Sequence, residues 1–353
     1  MSTTRTTTTG ACLASLLFAR CIHAMPTMAG VRGKFTWMEN VNAAKTPVLN
    51  VDFPDPSMIQ GPDQWYAFAT ASTTQGTHKL VQYATAPAAV GPWTYVNADL
   101  LKGNAGAWTD QYDVWAPDVR TVDNGTYVMY YTAALANSTS VHCLGVATAE
   151  NIEGPWQVND DEYWHCDEDQ GGSIDSSGFL DDDNTRYVAY KIDGNSQGNG
   201  GSCDNTVAPI KSTPIMLQQV AGDGITKIGD PVEILDRTDA DGPLVEAPNI
   251  IKSSSGQYVL FYSSHCFTST GYNVLYATAD NVKGPYTRAT QPLLETKMFN
   301  LTSPGGGTST IPGADSDDIM LFHANCPTDV GGSNRCMFVS NFTETGSTVL
   351  ANR

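Results

Sequence analysis

A motif that returns at near-constant spacing constrains this chain more than any other feature. Ala84-Thr85-Ala86, followed by Gly91-Pro92-Trp93, recurs as Ala147-Thr148-Ala149 with Gly154-Pro155-Trp156, and again as Ala277-Thr278-Ala279 with Gly284-Pro285-Tyr286. Ala84 to Ala147 is 63 residues and Ala147 to Ala277 is 130, so one degenerate copy lies between the last two. Aromatic, β-branched runs around Tyr66, Tyr127, Tyr187 and Tyr258 give the same count, and Ile319-Met320-Leu321-Phe322-His323 adds a fifth. Repeats of this length, cut into short strands by Gly/Asn/Asp turns such as Asp123-Asn124-Gly125, are what blades around an axis require. No long stretch of 3.6-residue periodicity competes. The spacing predicts an all-β chain: a five-bladed β-propeller with four short antiparallel strands per blade, filling residues 31–353 as one domain. A β-sandwich would not explain the period.

The 353 residues carry a net charge of −18, with only 16% charged side chains. That sign argues against nucleic acid and anionic membranes as partners and suits a neutral substrate. Residues 1–30 read as a secretory leader: Arg5 precedes the apolar run Ala11–Ala19, which is too short to span a bilayer. Cleavage after Ala24 or Ala29 fits. Four sequons, at Asn124, Asn137, Asn300 and Asn341, agree with an extracellular glycoprotein. Beyond Cys12 and Cys21 of the leader, Cys143, Cys166, Cys203, Cys266, Cys326 and Cys336 form an even set. They allow up to three disulfides, with Cys326–Cys336 as a local clasp. No CxxC pair supports zinc. Nothing signals an oligomer, so a monomer is expected.

Three acid-bearing segments each precede an aromatic strand: Phe53-Pro54-Asp55-Pro56-Ser57, Trp115-Ala116-Pro117-Asp118-Val119 and Val245-Glu246-Ala247-Pro248-Asn249. Asp175 stands similarly ahead of Tyr187. In a propeller the first strand of each blade lines the axis, so these four carboxyl groups are expected at matched positions around one mouth of the channel. Carboxyl groups meeting from distant parts of a chain suit acid–base chemistry on a sugar. Trp115 is a candidate pocket wall, while Asp175 and Arg335 are candidate partners for sugar hydroxyls. His265 and His323 read as structural, and Asp181-Asp182-Asp183 as a solvated hairpin tip.

The order and spacing of Asp52-Phe53-Pro54-Asp55-Pro56-Ser57, Trp115-Ala116-Pro117-Asp118-Val119, Ile174-Asp175-Ser176 with Phe179 to Asp183, and Glu246-Ala247-Pro248-Asn249 resemble glycoside hydrolase family 43. The likeness runs from about Lys45 to Asn341. It implies a five-bladed propeller of inverting hydrolases acting on α-L-arabinofuranosides and β-D-xylosides. It makes Asp55 the general base, Glu246 the general acid, and Asp118 the third acid that orients Glu246 and holds its proton. Inversion needs room for a water, so base and acid are expected about 6.5–9.5 Å apart.

No cofactor is implied as a requirement. Relatives often carry a His in a Gly-rich segment of the fifth blade, near a central metal. Here that stretch is Ser303-Pro304-Gly305-Gly306-Gly307-Thr308, which puts a central calcium in doubt. The missing His, together with the short chain, favours a secreted exo-acting α-L-arabinofuranosidase working on plant cell-wall arabinan or arabinoxylan. The alternatives are β-D-xylosidase and endo-α-1,5-L-arabinanase, and, outside the enzymes, a carbohydrate-binding propeller.

Overall fold

The computed structural model describes residues 46–310, 318–327, 334–345 and 347–351. The expected leader, residues 1–30, lies outside them. Five four-stranded antiparallel sheets follow one another along the chain. They are β1–β4 (Ser57–Gln60, Trp65–Ala69, Gln82–Ala86, Thr94–Val96), β5–β8 (Thr109–Thr121, Tyr127–Leu135, Ser138–Ala149, Gln157–Val158) and β9–β12 (Ser173–Leu180, Arg186–Ile192, Ile215–Val220, Lys227–Leu235). Next come β13–β16 (Val245–Lys252, Tyr258–Ser264, Asn273–Ala279, Thr287–Arg288) and β17–β20 (Gly305–Thr310, Asp318–Asn325, Arg335–Thr345, Thr348–Ala351). The first strands sit side by side, β1 against β5, β5 against β9, β9 against β13, β13 against β17, and β17 back against β1. This is the predicted five-bladed β-propeller.

The repeats map onto fixed places in the blade. Each aromatic run is a second strand, and Ala-Thr-Ala closes the third strands β3, β7 and β15. Ala84, Ala147 and Ala277 are fully packed, because small residues there let neighbouring blades approach. Between blades the strands bury large apolar side chains: Phe261, Phe322, Phe338 and Phe342 fill one such seam, and Phe68, Met129 and Tyr131 another. Each side chain of this size contributes about 1.5–3 kcal/mol of burial.

The ring is closed by the first described residues. The N–H groups of Val48 and Leu49 donate to Met337 O, and Phe53 N–H donates to Arg335 O at 2.7 Å. The segment from Val48 to Phe53 thus pairs with the part of β19 that β20 leaves open. Three disulfides join Cys143–Cys166, Cys203–Cys266 and the expected Cys326–Cys336. Among the described residues no helix is long and apolar enough to cross a membrane.

Candidate active site

One local device, repeated in every blade, builds the site. Four first strands carry a β-bulge against their second strands: between Trp115 and Asp118, Ile174 and Ser177, Glu246 and Asn249, and Gly305 and Thr308. The first bulged residue has a left-handed backbone: Ala116 (φ 42°), Asp175 (φ 58°), Ala247 (φ 51°) and Gly306 (φ 56°). Asp55 (φ 52°) holds the same place just ahead of β1. Such bulges re-aim side chains, here towards the axis.

This register corrects the expectation of four matched acids. Asp55 and Asp175 occupy equivalent positions. Glu246 lies one residue earlier, at the position of Trp115. Asp118 lies two residues after the bulge, level with Ser57, Ser177 and Asn249. The intervals carried the offset: Asp55, Ala116 and Ala247 each stand 11 residues before the aromatics Tyr66, Tyr127 and Tyr258, whereas Asp118 stands 9 before Tyr127 and Glu246 12 before Tyr258.

Asp55, Trp115, Asp175, Glu246 and Arg335 come together around a cavity of about 250 Å³, with Thr70, Phe267 and Tyr272 completing the wall. Asp55 Oδ2 accepts from Thr70 Oγ1 at 2.7 Å, and Arg335 donates to both carboxylate oxygens at 3.1 and 3.3 Å. Burial acts to raise the proton affinity of Asp55. The Arg335 guanidinium, helped by the Thr70 hydroxyl, outweighs it and holds the carboxyl well below the usual range. Arg335 lies 4.8 Å from the Phe267 ring centre, and Phe267 keeps 38% of its surface exposed. Trp115 stacks on His142 with ring centres 3.8 Å apart.

Across the cavity, Glu246 Oε1 accepts from Tyr272 OH at 2.8 Å and Oε2 from Lys191 Nζ at 3.2 Å. Lys191 also pairs with Asp193 at 3.0 Å. Asp175 Oδ2 accepts the N–H of Ala247 at 3.0 Å, which seats it beside Glu246. Burial, then the charge of Glu246, push Asp175 up to about 8 against the opposing pull of Lys191. Burial and the neighbouring Glu246 likewise raise the Tyr272 hydroxyl well above its ordinary value.

Asp118 is placed elsewhere. Its oxygens accept Arg120 Nε and NH2, both at 2.8 Å, and the N–H of Gly178 at 2.8 Å. It therefore staples β5 to β9, much as Asn249 Oδ1 accepts Ser309 N–H to staple β13 to β17. Asp118 lines the narrow channel below the cavity but not the cavity itself. The geometry gives it no contact with Glu246, so the expected orienting role does not fit this residue.

The expectation of no histidine at the centre also needs correcting. His323 reaches the axis from β18 rather than from the Gly-rich strand. The glycines make room for it: a Cβ on Gly306 would stand 2.7 Å from the His323 ring and 2.8 Å from Asp55 Oδ1. Asp55 N–H donates to His323 Nδ1 at 3.0 Å. Nδ1 is thus an acceptor, and burial, assisted by Arg335, lowers the proton affinity of the ring. The imidazole is neutral, so its 3.2 Å approach to Asp55 Oδ1 is not a charge pair. His323 Nε2 is buried without a protein partner. A calcium ion draws six to eight oxygen ligands. One imidazole nitrogen and a carboxylate already taken by Arg335 do not supply that set. Among the described residues no cluster of three metal-ligating side chains occurs.

Sequence reasoning missed Lys191, Tyr272 and Phe267. Lys191 carried a signal: it follows Tyr187 at the interval by which Thr70 follows Tyr66 and His323 follows Ile319. Tyr272 and Phe267 lie in the β14–β15 connection, where no repeat guides the eye.

Carboxyl groups set on either side of an axial cavity in a five-bladed propeller define a class of candidate sugar-cleaving proteins. The chain belongs to one family of that class: residues 44–346 match the model for glycosyl hydrolases family 43. It is similar to a probable arabinan endo-1,5-α-L-arabinosidase A of Aspergillus flavus, at 29% identity over 184 residues, covering 50% of this chain and 54% of that one. It is also similar to the extracellular endo-α-(1→5)-L-arabinanase 2 of Bacillus subtilis, at 25% identity over 302 residues, covering 80% and 58%. The chain thus spans little more than half the length of these curated relatives. Solved structures share the fold. A thermostable family-43 glycoside hydrolase gives a TM-score of 0.71 at 20% identity, covering 86% of this chain and 93% of that one. The endo-arabinase of Bacteroides thetaiotaomicron gives 0.65 at 16%, covering 86% and 99%.

Proposed function

We propose that this protein is an inverting glycoside hydrolase that cuts α-1,5-linked L-arabinan within the chain. The observation that carries the reading is the opposition, across one cavity, of Asp55, bound by Arg335, and Glu246, with Asp175 seated beside it. Asp55, kept anionic by Arg335, removes a proton from a water as that water attacks the anomeric carbon. Glu246 gives its proton to the glycosidic oxygen, which leaves with the electron pair of the breaking bond. Asp175, rather than Asp118, is the third acid: its proximity to Glu246 disfavours a second negative charge and keeps one proton on the pair. Arg335 and Phe267 wall the pocket on the base side and Trp115 on the other.

Internal cleavage replaces the exo-arabinofuranosidase expectation. The missing histidine that favoured exo action is supplied by His323, and the curated relatives are named endo-acting arabinanases. A second groove of about 500 Å³ continues past Glu246 and shares Trp115 and Phe267 with the first, leaving room for polymer on the leaving-group side. Three disulfides and an extracellular bacterial relative support secretion. The test is Glu246→Gln. Turnover of linear arabinan should fall by about 10²–10⁴-fold while oligosaccharide binding, followed by calorimetry, persists. Undiminished turnover would remove Glu246 from the acid role. Binding without any turnover in the wild type would instead make the protein a carbohydrate-binding propeller.

A further inference from the structure

Each blade sends one side chain, from its second strand or the residue just past it, to the left-handed segment of the next blade. In three blades it is a hydroxyl: Thr70 accepts the N–H of Ala116 at 2.9 Å, Thr132 that of Asp175 at 3.0 Å, and Ser263 that of Gly306 at 3.0 Å. His323 does the same for Asp55 through Nδ1. The one exception is Lys191. An ammonium has donors and no acceptor, so it cannot take the N–H of Ala247. That N–H goes to Asp175 Oδ2 instead, while Lys191 turns to Glu246 and Asp193. Its side chain is 1% exposed. Burying a charge costs several kcal/mol before pairing, and a threonine would complete the hydrogen bond as it does in other blades. The fold gains nothing evident from the exchange, but the acid half of the site does.

We propose that Lys191 is a positioning residue for the proton-donating step. It fixes Glu246 through Oε2 and stabilises the carboxylate that forms as the proton passes to the leaving oxygen. By refusing the Ala247 N–H, it also draws Asp175 to the side of Glu246. This rests on the reading of Glu246 as the acid.

The test uses aryl α-1,5-arabino-oligosides whose leaving groups run from phenol to dinitrophenol. A good leaving group needs little protonation, so a defect confined to acid catalysis fades along the series. Lys191→Met and Lys191→Gln should lower kcat about 10²-fold on the phenyl substrate and less than about tenfold on the dinitrophenyl one. Lys191→Arg, which keeps the charge, should stay within about tenfold of wild type on both. Glu246→Gln is the reference and should show the steepest dependence. Equal losses on all leaving groups in a folded Lys191 variant, or no loss on any, would overturn the proposal. If Glu246→Gln itself lacks the dependence, the acid assignment fails instead. Lys191→Gln, close in volume and still a donor, serves if the methionine variant does not fold.

Discussion

At the residue scale, a backbone choice determines which acids meet. Asp55 and Asp175 adopt left-handed conformations that most residues avoid, and both point into the cavity. Asp118 lies two residues past its bulge and is consumed by Arg120 and Gly178. The two aspartates should therefore respond differently to the same change. Asp175→Asn should alter the alkaline limb of the pH–rate profile. In the wild type, the pair must keep a proton to donate, so activity should fall as pH rises through about 8, while Asp55 stays ionised well into the acid range. Asparagine cannot hold the proton that Asp175 keeps up to about 8, so the limb should move to lower pH. Asp118→Asn should leave that limb in place and lower stability by roughly 3 kcal/mol, since Arg120 loses a buried partner. Profiles and thermal unfolding of both variants check this. A shifted limb in Asp118→Asn with an unchanged one in Asp175→Asn would restore Asp118 to the role expected from sequence.

At the element scale, strands, blade count and the Cys326–Cys336 clasp were legible because they follow local rules: period-two patterning, turn residues and repeat spacing. The bulges were not. An extra residue in a strand looks like any other residue, and only pairing to the partner strand reveals it. Lys191 was hidden in its local sequence, Tyr190-Lys191-Ile192, and only its interval from Tyr187 signalled its place. The loops above the site were harder still. The Cys203–Cys266 bridge joins the connection after β10 to the one after β14 and anchors the residue next to Phe267. Cys203→Ser with Cys266→Ser should free Phe267 to move. KM for arabinan oligosaccharides should rise about tenfold with kcat nearly unchanged, and Phe267→Ala should match it. A loss in kcat with unaltered KM would place Phe267 outside substrate binding. Unfolding should also come earlier, as a bridge closing a loop of this size contributes roughly 2–4 kcal/mol.

At the scale of the whole molecule, five similar blades produce an asymmetric site because the shared positions are filled differently. One ring of equivalent places holds Asp55, Ala116, Asp175, Ala247 and Gly306; another holds Thr70, Thr132, Lys191, Ser263 and His323. Asp55 lies with Arg335 and His323, and Glu246 with Lys191, Asp175 and Tyr272. The net charge of −18 suits a neutral polymer that needs no electrostatic steering, so rates should change little with added salt. The same division predicts how the bond is cut. The most direct test is proton NMR of the first products formed from linear α-1,5-arabinan. Opposed acid and base with internal cleavage predict short arabino-oligosaccharides whose new reducing ends are initially β. New ends that first appear as α would contradict the inverting geometry, and arabinose as the sole early product would contradict internal cleavage.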